Sequence, residues 1–143
     1  MQIKEIMTRN VEVIQPDAPL QQAAEMMRRL NVGSLPVCDG QRLLGMITDR
    51  DITVRATAVG GDPAGIAVRE AMTPEVAYCY EDDDVAQAAI VMEERRIRRL
   101  PILSRDKRLV GIVALGDLAV DAKYEDVAGE VTEEVSKPAK PKR

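Results

Sequence analysis

The chain reads as an α+β fold, two β-α-β-β-α repeats packed as a pseudo-two-fold pair, and three observations predict it. The sequence repeats when laid over itself with a shift of 65 residues: Ile6-Met7-Thr8 returns as Ala71-Met72-Thr73, and Leu35-Pro36-Val37 as Leu100-Pro101-Ile102. Beyond Pro36 the shift becomes 66, so that Gly45-Met46-Ile47-Thr48-Asp49-Arg50-Asp51 faces Gly111-Ile112-Val113-Ala114-Leu115-Gly116-Asp117. One extra residue therefore falls in the second copy's turn at 104–108, where a duplicated domain tolerates it. Finally, Val59-Gly60-Gly61-Asp62-Pro63-Ala64-Gly65 is the strong break inside the body. The expected organisation is a first repeat at 1–58, a linker at 59–66, a second repeat at 67–125 and a charged tail at 126–143. Units of about 60 residues bury little surface alone. The two are expected to share one core, with the function lying between them.

Each element has its own signal. Residues 11–15 form a short apolar run, read as a strand. Asp17 and Pro19 then supply a cap and a first-turn residue for a helix whose stripe is Leu20, Ala23, Ala24, Met27 and Leu30. Residues 35–38 and 43–48 are β-rich and joined by Asp39-Gly40, which marks a hairpin, and a second helix opens at Asp49. In the second copy Tyr78 and Tyr80 fall on the first strand, either as half-buried strand residues or as flanks for a base. Asp82, Asp83 and Asp84 crowd the first turn of the next helix, where the helix dipole favours negative charge. The matching stripe is Val85, Ala88, Ala89 and Met92.

Composition narrows the class. The chain has 143 residues, 45% hydrophobic and 31% charged, which is ordinary for a globular protein. Phe and Trp are absent, so the core must be aliphatic, with seven Met as adaptable filler. The absence of His removes the commonest metal ligand and general base, and hydrolase triads and zinc sites lose their usual parts. Cys38 and Cys79 are too few for a disulfide framework and read as small buried hydrophobes. No stretch approaches 18 apolar residues and no cleavable leader is evident, so a cytoplasmic protein without membrane attachment is expected. Of the net charge of −4, Lys137, Lys140, Lys142 and Arg143 contribute +4. The remaining −8 makes a poor surface for duplex nucleic acid. The tail is expected to be disordered, a solubilising terminus or a weak partner contact.

The duplicated pattern resembles the cystathionine-β-synthase (CBS) domain pair. The residues that carry the likeness are Asn31-Val32-Gly33-Ser34-Leu35-Pro36-Val37 with Gly45-Met46-Ile47-Thr48-Asp49-Arg50-Asp51-Ile52, and Ile97-Arg98-Arg99-Leu100-Pro101-Ile102 with Gly111-Ile112-Val113-Ala114-Leu115-Gly116-Asp117-Leu118. The likeness covers about residues 1 to 125, and the whole chain is similar to small bacterial stand-alone CBS-pair proteins.

What the resemblance implies is a regulatory ligand, not a cofactor: an adenosine-containing molecule such as AMP, ADP, ATP or S-adenosylmethionine, held in the cleft between the repeats. It implies Thr48 near phosphate and Asp51 on the ribose hydroxyls, with Arg50 inside the same motif. A carboxylate offers two acceptor oxygens to a vicinal diol, and a helix start suits an anion. The alternative for Thr48 is that it simply caps a helix. Arg98 and Arg99 precede Leu100-Pro101, where the family places phosphate-binding cations, and an Arg fork matches phosphate oxygens. Asp117 keeps the ribose-type carboxylate while Ala114 loses the hydroxyl. Unequal sites are expected, with Asp51, Arg98 and Arg99 forming the dominant one. Met26, Ile90 and Val91 widen the helix stripes and suggest a homodimer. The reading is a non-catalytic sensor that signals to an unknown protein partner; the alternative is a ligand-independent interaction or dimerisation module. An enzyme is disfavoured for want of a nucleophile-base pair, and nucleic-acid binding for want of basic surface.

Overall fold

A computed structural model describes residues 1–119; the expectations for the tail, and for the end of the second repeat, lie outside them. The fold is α+β. In chain order the elements are α1 (Leu20–Leu30), β1 (Ser34–Asp39), β2 (Arg42–Thr48), α2 (Asp49–Arg55), α3 (Val68–Ala71), β3 (Thr73–Pro74), β4 (Cys79–Tyr80), α4 (Val85–Arg95), β5 (Arg99–Leu103), β6 (Leu109–Ala114) and α5 (Leu115–Ala119). Single 3-10 turns occupy Ile3–Glu5 and Thr57–Val59.

Both hairpins form where the sequence places them. Asp39 pairs with Arg42, leaving Gly40 and Gln41 as the turn, and Gly40 adopts φ +62, which a glycine takes at little cost. In the second hairpin Leu103 pairs with Leu109 where Cys38 pairs with Leu43, so the extra residue of the second copy does lie in the 104–108 turn. The strand expected at 11–15 shrinks to a single parallel bridge from Ile14 to Val37. Pro16 follows and has no N–H with which to extend a ladder. Its counterpart β4 is a two-residue parallel strand on β5.

Helix starts differ from expectation in one place. Asp17 does not cap α1; Pro19 occupies the cap position with φ −71 and ψ 151, and the Asp17 carboxylate forms an ion pair with Arg69 instead. A proline bars its predecessor from helical geometry, so the helix opens one residue later and Asp17 is left too far upstream. Asp84 does cap α4, accepting from the Ala86 N–H at 2.9 Å. Of the first stripe, Leu20, Ala23 and Met27 are buried and Ala24 is exposed; of the second, Val85, Ala88, Ala89 and Met92 are all buried.

Chain packing does not follow the repeats. One compact unit joins Met1–Val11 to the chain from Ala77 onward, and the other is Glu12–Val76. Each therefore borrows the opening segment of the other repeat, and the borrowed contacts match residue for residue under the sequence shift. Ile3 N donates to Asp83 O and Lys4 N to Glu81 O; Val68 N donates to Ala18 O and Arg69 N to Pro16 O. Likewise Val85 N reaches Met1 O, and Leu20 N reaches Ile66 O. Each segment then adds to a sheet edge: Thr8 bridges to Ile112 on β6, and β3 pairs with β2 through Thr73–Met46 and Pro74–Gly45. The sheets run β1-β2-β3 and β4-β5-β6.

The single shared core expected from the small repeat size is not what forms. Buried side chains make two clusters, one holding Ile3, Met7, Val85, Met92, Leu100, Ile102 and Leu118, the other Ile14, Leu20, Leu35, Val37, Ile47 and Val68. The exchanged segments supply the missing apolar volume to each. Both cysteines are free and buried, and burial pushes their thiols from the usual 9.0 up to about 11, so they are protonated and inert at neutral pH.

Because Ile3 is fully buried although it lies three residues into the chain, Ile3→Ala should cost roughly 2–5 kcal/mol, as a core truncation does and a frayed terminus does not. Urea denaturation showing a loss well under 1 kcal/mol would place the segment outside the core.

Candidate ligand-binding site

The site motif of the first repeat sits where β2 ends and α2 begins. Thr48 is the cap residue, extended at φ −116 and ψ 161, and its Oγ1 accepts from the Asp51 N–H at 3.0 Å. The Asp51 carboxylate reaches back, its Oδ2 accepting from the Thr48 N–H at 3.0 Å. This reciprocal capping box satisfies two otherwise orphaned amides. Asp51 is the one buried charged residue among those described, 9% exposed. Thr73 Oγ1 lies 3.4 Å from its Oδ1 and 3.5 Å from its Oδ2, and Arg55 Nε stands 4.0 Å from Oδ1. Arg50 is exposed, its N–H held by Asp49 Oδ1 at 2.8 Å.

In the second repeat half of the box survives. Ala114 N donates to Asp117 Oδ2 at 2.7 Å, but Ala114 has no hydroxyl to return the bond. A side chain at Gly116 would meet nothing within 4 Å among the described residues.

The sheet register decides which cations accompany which carboxylate. Arg99 pairs with Ala114 across β5 and β6, and the Leu115 N–H, at the head of α5, donates to Arg98 O at 2.8 Å. Within its unit, Asp117 therefore has Arg98 and Arg99 as neighbours, both exposed. By the same register Ser34 pairs with Thr48, and Asp49 N donates to Gly33 O at 2.9 Å. The first motif is neighboured by Gly33 and Ser34 and the second by two arginines. Within their unit the register sets Arg98 and Arg99 beside the Asp117 turn, while Asp51 belongs to the other unit. Arg95 ends α4 and Arg96 follows it in a left-handed conformation at φ 54, so the arginine run divides between a helix end and the strand entrance.

Tyr78 and Tyr80 meet edge to face with ring centroids 5.6 Å apart, and the Arg105 guanidinium covers the Tyr80 ring at 4.2 Å. Arg105 also donates to Asp82 and Asp83, and its hydrogen bond holds the Asp82 carboxyl below the usual range. The strand-residue reading therefore suits Tyr80, since a face that would stack on a base is taken. Met26 and Val91 pack against their own cores, leaving Ile90, 45% exposed, as the apolar surface residue of the three offered for association. Sequence reasoning passed over Thr73 and Arg55. The signal for Thr73 was present, because Met-Thr is duplicated at 7–8 and 72–73, but nothing in one dimension ties that threonine to Asp51.

The family model for the CBS domain matches this chain twice, over residues 3–56 and 68–121. The chain belongs to the CBS domain family. Among curated relatives, the CBS domain-containing protein YhcV of Bacillus subtilis is 40% identical over 134 residues, 94% of each chain. Hypoxic response protein 1 of Mycobacterium tuberculosis is 38% identical over 117 residues, 81% of each. Its crystal structure, with two coordinated zinc ions, superposes with TM-score 0.78 at 36% identity, covering 84% of this chain and 98% of that one. CBSX2 of Arabidopsis thaliana in complex with AMP gives TM-score 0.74 at 26% identity, covering 87% and 98%. The CBS domain pair of MJ0100, solved with 5′-methylthioadenosine and S-adenosyl-L-methionine, gives 0.71 at 27%, covering 84% and 94%. CBS-pair relatives thus bind adenosine-containing molecules, and this chain has the fold of a regulatory ligand-binding module.

If the half box is short only of a hydroxyl, Ala114→Thr should complete it and stabilise the protein by about 1 kcal/mol, while Thr48→Ala loses a similar amount. Chemical denaturation reads both, and an Ala114→Thr protein no more stable than its parent overturns the capping account.

Proposed function

We propose that this protein is a non-catalytic sensor that binds an adenosine-containing ligand (AMP, ADP, ATP or S-adenosylmethionine) and reports it to a protein partner. The observation that carries the reading is the duplicated carboxylate. Asp51 and Asp117 take the same place in the two motifs, each tied by one oxygen to the backbone N–H three residues earlier. A carboxylate so held still has acceptor capacity for a ribose diol. The AMP complex of CBSX2 and the S-adenosylmethionine complex of MJ0100 support the ligand class.

The roles divide by unit. Asp51 would take ribose beside Thr48 and Arg50. Asp117 would take ribose beside Arg98 and Arg99, whose guanidinium forks suit phosphate. The seven residues of α2 give little dipole to invoke, so specificity at Asp51 must come from side chains.

AMP at about 100 times its dissociation constant should stabilise the protein by roughly 2.7 kcal/mol, a melting shift of a few degrees. Replacing Arg98 and Arg99 by Ala should weaken AMP and ATP about tenfold or more and leave S-adenosylmethionine, which has no phosphate, nearly unchanged. Calorimetry on the variants measures both. No melting shift with any of these ligands at millimolar concentration would favour the ligand-independent interaction module.

Association is a second part of the proposal. With Ile90 exposed on α4, a homodimer is expected, and Ile90→Lys should shift it toward monomer. A light-scattering mass near one 15.7 kDa chain for the parent at micromolar concentration would remove this part.

A further inference from the structure

We propose that the Thr73 hydroxyl is an internal stand-in for ligand at Asp51, so that a ribose taking this carboxylate releases the end of the exchanged segment, residues 72–76, from α2. The inference rests on the ligand reading above and adds how occupancy of that site would be transmitted.

Thr73 Oγ1 straddles the carboxylate, 3.4 Å from Oδ1 and 3.5 Å from Oδ2, a placement that competes with a diol donating to the two oxygens. Both distances are close to the upper limit for a hydrogen bond, so the contact is displaceable. The residue is exposed, and water can satisfy its hydroxyl once it is freed.

Val68 and Ala71 anchor the start of the segment in the core, but the end that Thr73 holds, residues 72–76, is lightly fastened. Strand β3 is two residues long and pairs with β2 only at Gly45 and Met46. Immediately after it Glu75 adopts φ +52, a left-handed conformation that strains a residue with a Cβ. The duplicate position is Asn10, at φ 57, and asparagine tolerates that region far better. A further polar tie to α2 is Arg55, whose Nη1 donates to Ala71 O at 3.2 Å and Met72 O at 2.9 Å while its Nε faces Asp51 Oδ1. Asp51 therefore anchors the segment twice, through Thr73 directly and through Arg55. The second repeat has Ala114 and Asp121 where Thr48 and Arg55 stand, so this device belongs to the Asp51 site.

Hydrogen exchange by mass spectrometry on the full chain, with AMP and S-adenosylmethionine as probes, tests this alongside calorimetry. In the parent, ligand should lower protection of the amides at 72–76. Thr73→Val should show that lowered protection without ligand, gain no further change on binding, and bind about threefold to tenfold tighter because the competitor is gone. Thr73→Ser should behave as the parent, and Thr73→Ala should match Thr73→Val if the bulk of Val disturbs β3. Binding that is lost in Asp51→Asn yet equal or weaker in Thr73→Val and Thr73→Ala overturns the stand-in and leaves the ligand reading intact. Increased protection of 72–76 on binding overturns it equally. Absent binding, or binding indifferent to Asp51→Asn, overturns both.

Discussion

Both sheets depend on one close approach, the backbone of an exchanged segment laid against a strand at a position with no side chain. A Cβ at Gly45 would collide with the Thr73 carbonyl, and a Cβ at Gly111 would come within 2.6 Å of Met7 Sδ and 2.9 Å of Thr8 O. The two glycines are duplicates of each other, and so are the two segments that press on them. Glycine at these positions lets the third strand of one sheet and the terminal bridge of the other form at all. With that approach made, Ile3 and Met7 enter one core, Val68 and Ala71 enter the other, and Thr73 arrives beside Asp51.

The same constraint explains why small repeats suffice. A domain of about 60 residues buries little enough surface to be only marginally stable alone. Here each unit closes its core with a segment belonging to the other repeat, so neither repeat is complete in the chain order in which it is written. A covalent chain that crosses between units in this way ties the stability of each to both repeats. It also places a short, strained segment next to a candidate ligand carboxylate, which is where a binding event has most leverage.

The candidate site shows how one group can satisfy structure and ligand together. Asp51 and Thr48 are fully accounted for as a capping box, an account that needs no ligand. Yet the box leaves acceptor capacity on the carboxylate, and Thr73 already uses part of it. Duplication then allowed the copies to diverge. One kept the hydroxyl and is neighboured by Gly33 and Ser34; the other lost it at Ala114 and is neighboured by Arg98 and Arg99.

Local and periodic features were legible in the sequence because they depend on neighbours within a few positions. The duplication, both hairpins, the α1 and α4 stripes, the extra residue in the 104–108 turn and the burial of the cysteines all follow from spacing and residue type. The Gly-apolar-apolar-Thr-x-x-Asp motif was legible for the same reason, being a strand end and a helix start read off consecutive residues. Tertiary structure decided what pairs at long range. Thr73 and Asp51 are 22 residues apart, and only the laying of β3 on β2 joins them. Strand register likewise set Arg99 against Ala114, at the head of the Asp117 motif. The exchange of the opening segments has no signature in a repeat alignment, because a duplicated segment looks the same whichever copy's core it fills.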